Sequence, residues 1–355
     1  MIFSIFGKEP FLPPMEKVVT IKEIAKRLNI SPSSVSRALS NHKSIGLKTK
    51  ADVQRLAKEL NYEPNQTAIF FQQRKTFTIG VILPSLSEDF FSSAISGIED
   101  LANENKYTVL MGQSHDDVER EKQLVDTMKN HRVDGLIISI SKNTVNYEHF
   151  EAMKKYGIPV VYFDRVPDLK DIHHVWCNII SGTTQAYNFL RDLGHQTIGM
   201  INGPRSLLAS KERMEGYKNA VQQAHHIFDP SLIISCDLSA KSVHMATEEL
   251  LSKTNKPTAI ITFNDYVLLD AANAATRMKL KINKDISFVS FAHLPICYYA
   301  AHPPLASVDQ FSYNQGKSAM EIMLKLLSKE SRDQEEAFIK ITIEPKLMKL
   351  DTQVI

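Results

Sequence analysis

The chain has 355 residues, 43% hydrophobic and 23% charged, with a formal net charge of +2. That length exceeds one ordinary core and calls for two or three domains. No apolar run reaches the roughly 18 residues of a bilayer span. The three scattered cysteines, Cys177, Cys236 and Cys297, suggest no disulfide framework or metal cluster and favour a reducing cytoplasm.

Charge is unevenly spread along the chain. Residues 16–75 hold 12 Lys and Arg against 5 Asp and Glu, while residues 76–355 hold 29 against 34. A basic head on an acidic body is the asymmetry expected where one end faces phosphates. The opening MIFSIFGKEPFLPP lacks a basic start and a small-residue cleavage site, so it does not read as a signal peptide. Residues 1–15 read instead as a disordered extension or the product of an upstream start, with Met15 the alternative beginning.

Thr20-Ile21-Lys22-Glu23 has the form of a capping box, in which the Thr hydroxyl and the Glu carboxylate exchange backbone N–H partners. Ile21, Ile24, Ala25 and Leu28 then recur at helical spacing. Asn29-Ile30 makes a tight connection, Ser31 is an N-cap, and Pro32 occupies the first helical position, where its missing N–H costs nothing. Val35, Ala38 and Leu39 give the second helix its buried side, leaving Ser33, Ser34, Ser36 and Arg37 outward. Hydroxyls and an Arg on that face suit phosphate oxygens and guanine edges in a major groove. A third helix, about Thr49 to Asn61, closes a three-helix core with Val53, Leu56, Ala57 and Leu60, and Pro64 stops it.

TIKEIAKRLNISPSSVSRALS, continued through NYEPN, resembles the start of the LacI/GalR family of bacterial transcriptional regulators. The resemblance implies a helix-turn-helix domain over 16–63 that binds double-stranded operator DNA. It assigns base reading to Pro32, Ser33 and Arg37, and mainly phosphate contact to Ser31, Ser34 and Ser36, with Thr20 and Asn65 also on the DNA side. It further implies a hinge helix within 64–76, where Ala68 matches the pattern and Phe71 takes the place of the minor-groove wedge. Ile69 stands where the family often has a basic residue.

From Thr78 onward, apolar runs alternate with amphipathic stretches. TIGVILP, TVLMG, GLIISI, PVVYF, TIGMI, AIITF and ISFVSF read as buried strands of parallel sheets covered on both faces. More than ten strands suit an α/β body of two doubly wound lobes. Ligands in such folds sit beyond the carboxyl ends of strands. That rule selects Asp164-Arg165, Asn264-Asp265, Ser85 with Phe90-Phe91, Gln113-Ser114 and Gln310. Carboxylate, amide and guanidinium groups beside aromatics equip a polyol or sugar site. Asn264 equally suits a helix cap.

GIPVVYFDR, LGHQTIGMINGP, KERMEGY and FND extend the resemblance over 77–355, implying a periplasmic-binding-protein-like effector domain. By that likeness Asp164, Arg213 and Asn264 contact a small-molecule effector, with Gln310 and Phe90 nearby; the strand-end rule adds Gln113 and Arg165. The N-lobe is expected over about 77–176 and 309–337 and the C-lobe over 178–306 and 339–355, with crossings near 176–178, 306–309 and 336–340. The likeness also implies a homodimer on a pseudo-palindromic operator. The family's VGFDD segment is VSFAH here, so Ala292 and His293 replace acids, and its VDN has become Cys177-Asn178-Ile179. A ligand of different charge, or a protein co-regulator, therefore stays open beside a sugar.

Two other classes compete. A solute-binding protein would lack a use for the basic head. An enzyme would need chemistry that the chain does not advertise: no G-x-G-x-x-G after a strand, no Walker loop, no G-x-S-x-G elbow. Asp164-Arg165 reads as an orienting pair, and His173-His174 and His225-His226 as solvated loops, so neither a cofactor nor a metal is expected.

Overall fold

The structure, a computed structural model, describes residues 19–64, 75–328 and 337–350. It divides into two compact units, 1–75 and 76–355. The expected hinge contacts Asn65, Ala68 and Phe71 lie outside the described residues.

Among the described residues the first unit holds three helices: α1 (Ile21–Leu28), α2 (Pro32–Leu39) and α3 (Leu47–Glu59). Ile24, Ala25, Val35, Ala38, Val53 and Ala57 form its small core. Asn29 takes a left-handed φ of 50°, which a short polar side chain tolerates, and so turns α1 into α2. Ser31 caps α2 as expected, its Oγ accepting from the Ser34 N–H at 3.1 Å. The capping box at α1 does not form. Thr20 makes no side-chain cap bond, and the Glu23 carboxylate accepts from Arg27 Nε at 3.0 Å. A cation one turn along the same helix face draws the acid away from the N-terminus. Helix α3 ends before Pro64 is reached, because Asn61 turns left-handed (φ 47°) and the Tyr62 N–H returns to the Ala57 carbonyl at 2.8 Å.

The second unit contains two six-stranded sheets. The first joins β1 (Thr78–Leu83), β2 (Thr108–Gln113), β3 (Gly135–Ile138), β4 (Val160–Phe163), β5 (His173–Cys177) and β11 (Lys340–Ile343), in the order β11-β5-β4-β3-β1-β2. The second joins β6 (Ile198–Asn202), β7 (Ile233–Ser235), β8 (Ala259–Thr262), β9 (Ser287–Phe291), β10 (Ala306–Asp309) and β12 (Lys346–Lys349), in the order β12-β10-β9-β8-β6-β7. All pairings are parallel except β10 with β12. Apolar cores cover both faces of each sheet, as continuous apolar strands require.

In the first lobe, α4 (Asp89–Glu104) packs on α12 (Ser312–Leu327) through facing glycines. A Cβ on Gly316 would sit 1.9 Å from the Ala94 carbonyl oxygen, and one on Gly97 2.1 Å from that of Tyr313. That lobe also carries α5 (Val118–Asn130) and α6 (Glu148–Lys155); the second carries α7 (Ile179–Asp192), α8 (Leu208–Gln223), α9 (Ala240–Leu251), α10 (Asp265–Arg277) and α11 (Ile296–Tyr299).

The chain passes between lobes after β5, after β10 and between β11 and β12. The last passage therefore lies at Glu344-Pro345 rather than at 336–340, because β11 extends the first sheet beside β5 before the chain leaves it. His173-His174, expected in a solvated loop, are strand residues of β5, and the Ile339 N–H donates to His173 Nδ1 at 3.1 Å.

Candidate functional site

Two surfaces carry the side chains that the sequence singled out. On α2, Val35 and Ala38 are buried while Ser33 and Arg37 stand exposed on the helix and Ser36 half-buried. Thr20, Ser31 and Pro32 are exposed beside them, and Ser34 is half-buried. Ser31 Oγ lies 2.8 Å from Ser33 Oγ and 2.9 Å from Ser34 Oγ, a hydroxyl cluster at the start of the helix. No carboxylate among the described residues bonds the Arg37 guanidinium. Its donors are therefore available to an outside acceptor.

The second surface is a cavity of about 300 Å³ at the carboxyl ends of strands from both sheets. Phe90, Asp164, Arg165, Arg213, Asn264 and Gln310 all line it. Gln113 does not. Its Nε2 contacts His115 Nδ1 at 3.0 Å and its carbonyl accepts from Arg120 Nε at 2.7 Å, because β2 is the edge strand of its sheet and ends away from the cleft.

Asp164 follows β4 directly and holds a left-handed φ of 57°. Its N–H donates to the Val175 carbonyl at 3.1 Å, and its carboxylate accepts from Ser139 Oγ at 3.3 Å. Burial pushes this carboxyl above the usual range, against the pull of the nearby Arg165 charge and Ser139. Arg165 does not bond Asp164 as an orienting pair would. Its Nη1 grips Asp116 Oδ1 at 2.6 Å, and its guanidinium lies 5.7 Å from the Phe91 ring centre.

Arg213 is only 3% exposed. Nη1 and Nη2 donate to the carbonyls of Ala209 and Phe263 at 3.1 and 3.0 Å. The guanidinium is stacked between Phe263 and Phe291, 4.1 and 4.4 Å from their ring centres, and Nε has no protein partner. Burial lowers its pKa to about 10, which still leaves it charged at neutral pH. Asn264 Oδ1 caps α10 by accepting from the Val267 N–H at 2.9 Å, and the residue also lines the cavity.

Two acids escaped the sequence reading. Glu88 and Glu212 line the same cavity with no hydrogen bond or ion pair among the described residues. Burial raises both, Glu212 to about 7. Glu88 lies between the selected Ser85 and Phe90, and Glu212 lies within KERMEGY, but neither follows a strand directly. Asp265, which the strand-end rule selected beside Asn264, does not line the cavity: it is fully buried and accepts from Ser290 Oγ, from Ser307 Oγ at 3.0 Å and from the Leu294 N–H at 2.7 Å. It pins the loop after β9, where Ala292 and His293 take φ of 91° and 53°. Ala292 lines the cavity. His293 is not among the lining residues; its Nε2 lies 3.1 Å from the Tyr298 hydroxyl.

No group of three or more His, Cys, Asp or Glu among the described residues could hold a metal ion. No described helix is long and apolar enough to cross a membrane.

Residues 20–65 match the family of bacterial regulatory proteins of the lacI type, and residues 76–349 match the periplasmic binding proteins and sugar-binding domain of the LacI family. Catabolite control protein A of Priestia megaterium is 29% identical over 316 residues, 89% of this chain and 94% of that protein. The repressor CytR of Escherichia coli K12 is 28% identical over 309 residues, 87% of this chain and 90% of its own. Among solved structures, the Lac repressor dimer bound to operator and an anti-inducer superposes with a TM-score of 0.79 at 26% identity, covering 94% of this chain and 98% of that one.

Proposed function

The chain belongs to the LacI family of bacterial transcriptional regulators, and from that membership we propose that it acts as a cytoplasmic homodimeric repressor, released from or locked onto a pseudo-palindromic operator by a small effector in the interlobe cleft. Each α2 would enter a major groove, with Arg37 reading a guanine edge and the hydroxyls at Ser31, Ser33, Ser34 and Ser36 positioning the helix on phosphates. The Lac repressor dimer on its operator supports the two-fold arrangement.

The observation that carries the effector reading is the setting of Arg213. A buried guanidinium, stacked between two rings and keeping one N–H unsatisfied, faces the cavity that Asp164, Asn264 and Gln310 also line. Fixed acceptors and donors beside aromatic faces suit a polyhydroxylated ligand such as a sugar. Turnover is not part of this reading, since relatives such as CytR are repressors.

A thermal-shift screen of the protein against sugars, sugar phosphates and nucleobases tests it, because a ligand of the folded state alone raises the melting temperature. The bound compound should then change operator affinity in the wild type. Asp164→Ala should remove that response while DNA binding persists. A full response in Asp164→Ala would place the effector elsewhere.

A further inference from the structure

Lys142, in the loop after β3, holds two loops of the opposite lobe at once. Its Nζ donates to the Asp237 carbonyl at 3.1 Å, and its own carbonyl accepts from Ser206 Oγ at 3.0 Å. A further bridge between lobes, Lys211 Nζ to Asp168 Oδ2 at 3.6 Å, is solvent-exposed and correspondingly weak.

The loop that presents Lys142 is fixed in advance by two carboxylates. Glu121 is fully buried and accepts from the Ser141 N–H at 2.6 Å and from Thr144 Oγ1 at 2.9 Å, with His149 Nε2 at 3.0 Å. Asp116 accepts from the Lys142 N–H at 2.9 Å on the same oxygen that Arg165 grips. Asp116 and His115 both hold left-handed backbone, with φ of 58° and 55°, to bring that carboxylate under the loop. The second oxygen of Asp116 lies 3.9 Å from Lys142 Nζ, so the side chain too is held near its position from within its own lobe, which lowers the ordering cost when the lobes meet.

Topology gives the contact its leverage. In the first sheet the chain passages leave from β5 and β11, at one edge, whereas Lys142 and Asp116 follow β3 and β2, toward the other. In the second sheet the passages connect at β10 and β12, whereas Ser206 and Asp237 follow β6 and β7, at the opposite edge. Opening about the covalent passages must therefore part Lys142 from its partners.

We infer that Lys142 is a positioning residue, a non-covalent bolt that holds the lobes closed over the cleft and so sets effector affinity. The inference rests on the cleft being the effector site. An effector that needs the closed form binds with an apparent Kd raised by the inverse of the closed fraction, so loosening the bolt weakens binding; because Lys142 and Ser206 also line the cavity, the interlobe distance rather than the affinity is the readout. One charge-assisted hydrogen bond corresponds to about a tenfold change in the closed-to-open ratio.

The test needs no effector. Nitroxide labels on Glu119→Cys and Glu248→Cys, exposed positions in opposite lobes, report the interlobe distance in the full chain by electron–electron dipolar spectroscopy, the three native cysteines being buried. Lys142→Met should add a longer-distance population, Ser206→Ala should do so to a smaller degree, and Lys142→Arg should restore the parent distribution. Superimposable distributions for the parent, Lys142→Met and Ser206→Ala would overturn the inference. So would a lengthening that Lys142→Arg fails to reverse, since that marks damage to the loop rather than loss of a cationic donor. Ser206→Ala reads the reciprocal bond if Lys142→Met does not fold. A cleft that binds nothing in the thermal screen would instead count against the effector reading, so the two failures are separable.

Discussion

The DNA-facing surface and the effector cleft are built on opposite plans. On α2 the side chains for DNA are mostly exposed, and no acid among the described residues holds Arg37. In the cleft Arg213 is 3% exposed, stacked between rings and bonded to two carbonyls before any ligand arrives. A polyanion supplies charge at every step and gains from displaced counterions, so the head needs reachable donors more than a prepared pocket. A small polyol offers only hydroxyls and an apolar ring face. Its site must be desolvated and aligned beforehand, at the cost of buried charge.

The comparison breaks most easily at Asp265. Its replacement by Ala leaves the Ser290 and Ser307 hydroxyls and the Leu294 N–H without their acceptor inside the core. We expect a loss on the order of 3 kcal/mol from the body, read by urea unfolding through the fluorescence of Trp176, the one tryptophan of the chain. A loss below about 1 kcal/mol would show that Asp265 is not what shapes the loop around Ala292.

On the exposed side, Arg37→Ala should cost about 1–3 kcal/mol of specific operator binding and relax preference at one base pair. Folding stability should hold, since the guanidinium supports nothing else. Binding-site selection on randomised duplexes checks both points, and an unchanged sequence preference would remove Arg37 from base readout.

The head was more legible in the sequence than the cleft, for a physical reason. Its information is local: Ile24, Val35 and Ala38 recur at helical period, and Ser31-Pro32 announces a helix start within two residues. The strand-end rule also works locally, and it found Asp164, Asn264 and Gln310. It failed at Gln113, because only the lateral order of strands reveals that β2 is an edge. The partner of Arg165 was equally hidden. Asp116 lies 49 residues away, reaches it through two left-handed residues, and outcompetes the adjacent Asp164. Glu212 was missed because helix α8, not a strand end, delivers it to the cavity.

Glu212 gives the cleft a pH signature. Burial raises its pKa from 4.5 to about 7, so the folded state holds this proton more tightly than the unfolded chain. Its contribution is fully present below the unfolded value. It is lost as pH rises toward 7, because the ionised carboxylate must then stay half-buried. Glu212→Gln should therefore match wild-type stability at pH 4 and exceed it at pH 8, by on the order of 1 kcal/mol after allowing for solvent screening. Melting curves at the two pH values measure the gap. A gap of equal size at both would mean the carboxyl titrates normally.

The smallest effect separates two hydroxyls in the head that look alike in sequence. Ser31 Oγ caps α2, and Ser31→Ala should cost about 1 kcal/mol of stability. Thr20 stands at the N-cap of α1 but makes no side-chain cap bond, so Thr20→Ala should change stability by less than about 0.5 kcal/mol. If its exposed hydroxyl instead serves DNA, the loss appears in binding, as a few-fold drop in affinity shared by operator and unrelated duplexes, because a phosphate contact carries no sequence information. A stability loss equal to that of Ser31→Ala would mean that Thr20 caps its helix after all. An affinity loss confined to the operator would move Thr20 from positioning the head to reading bases.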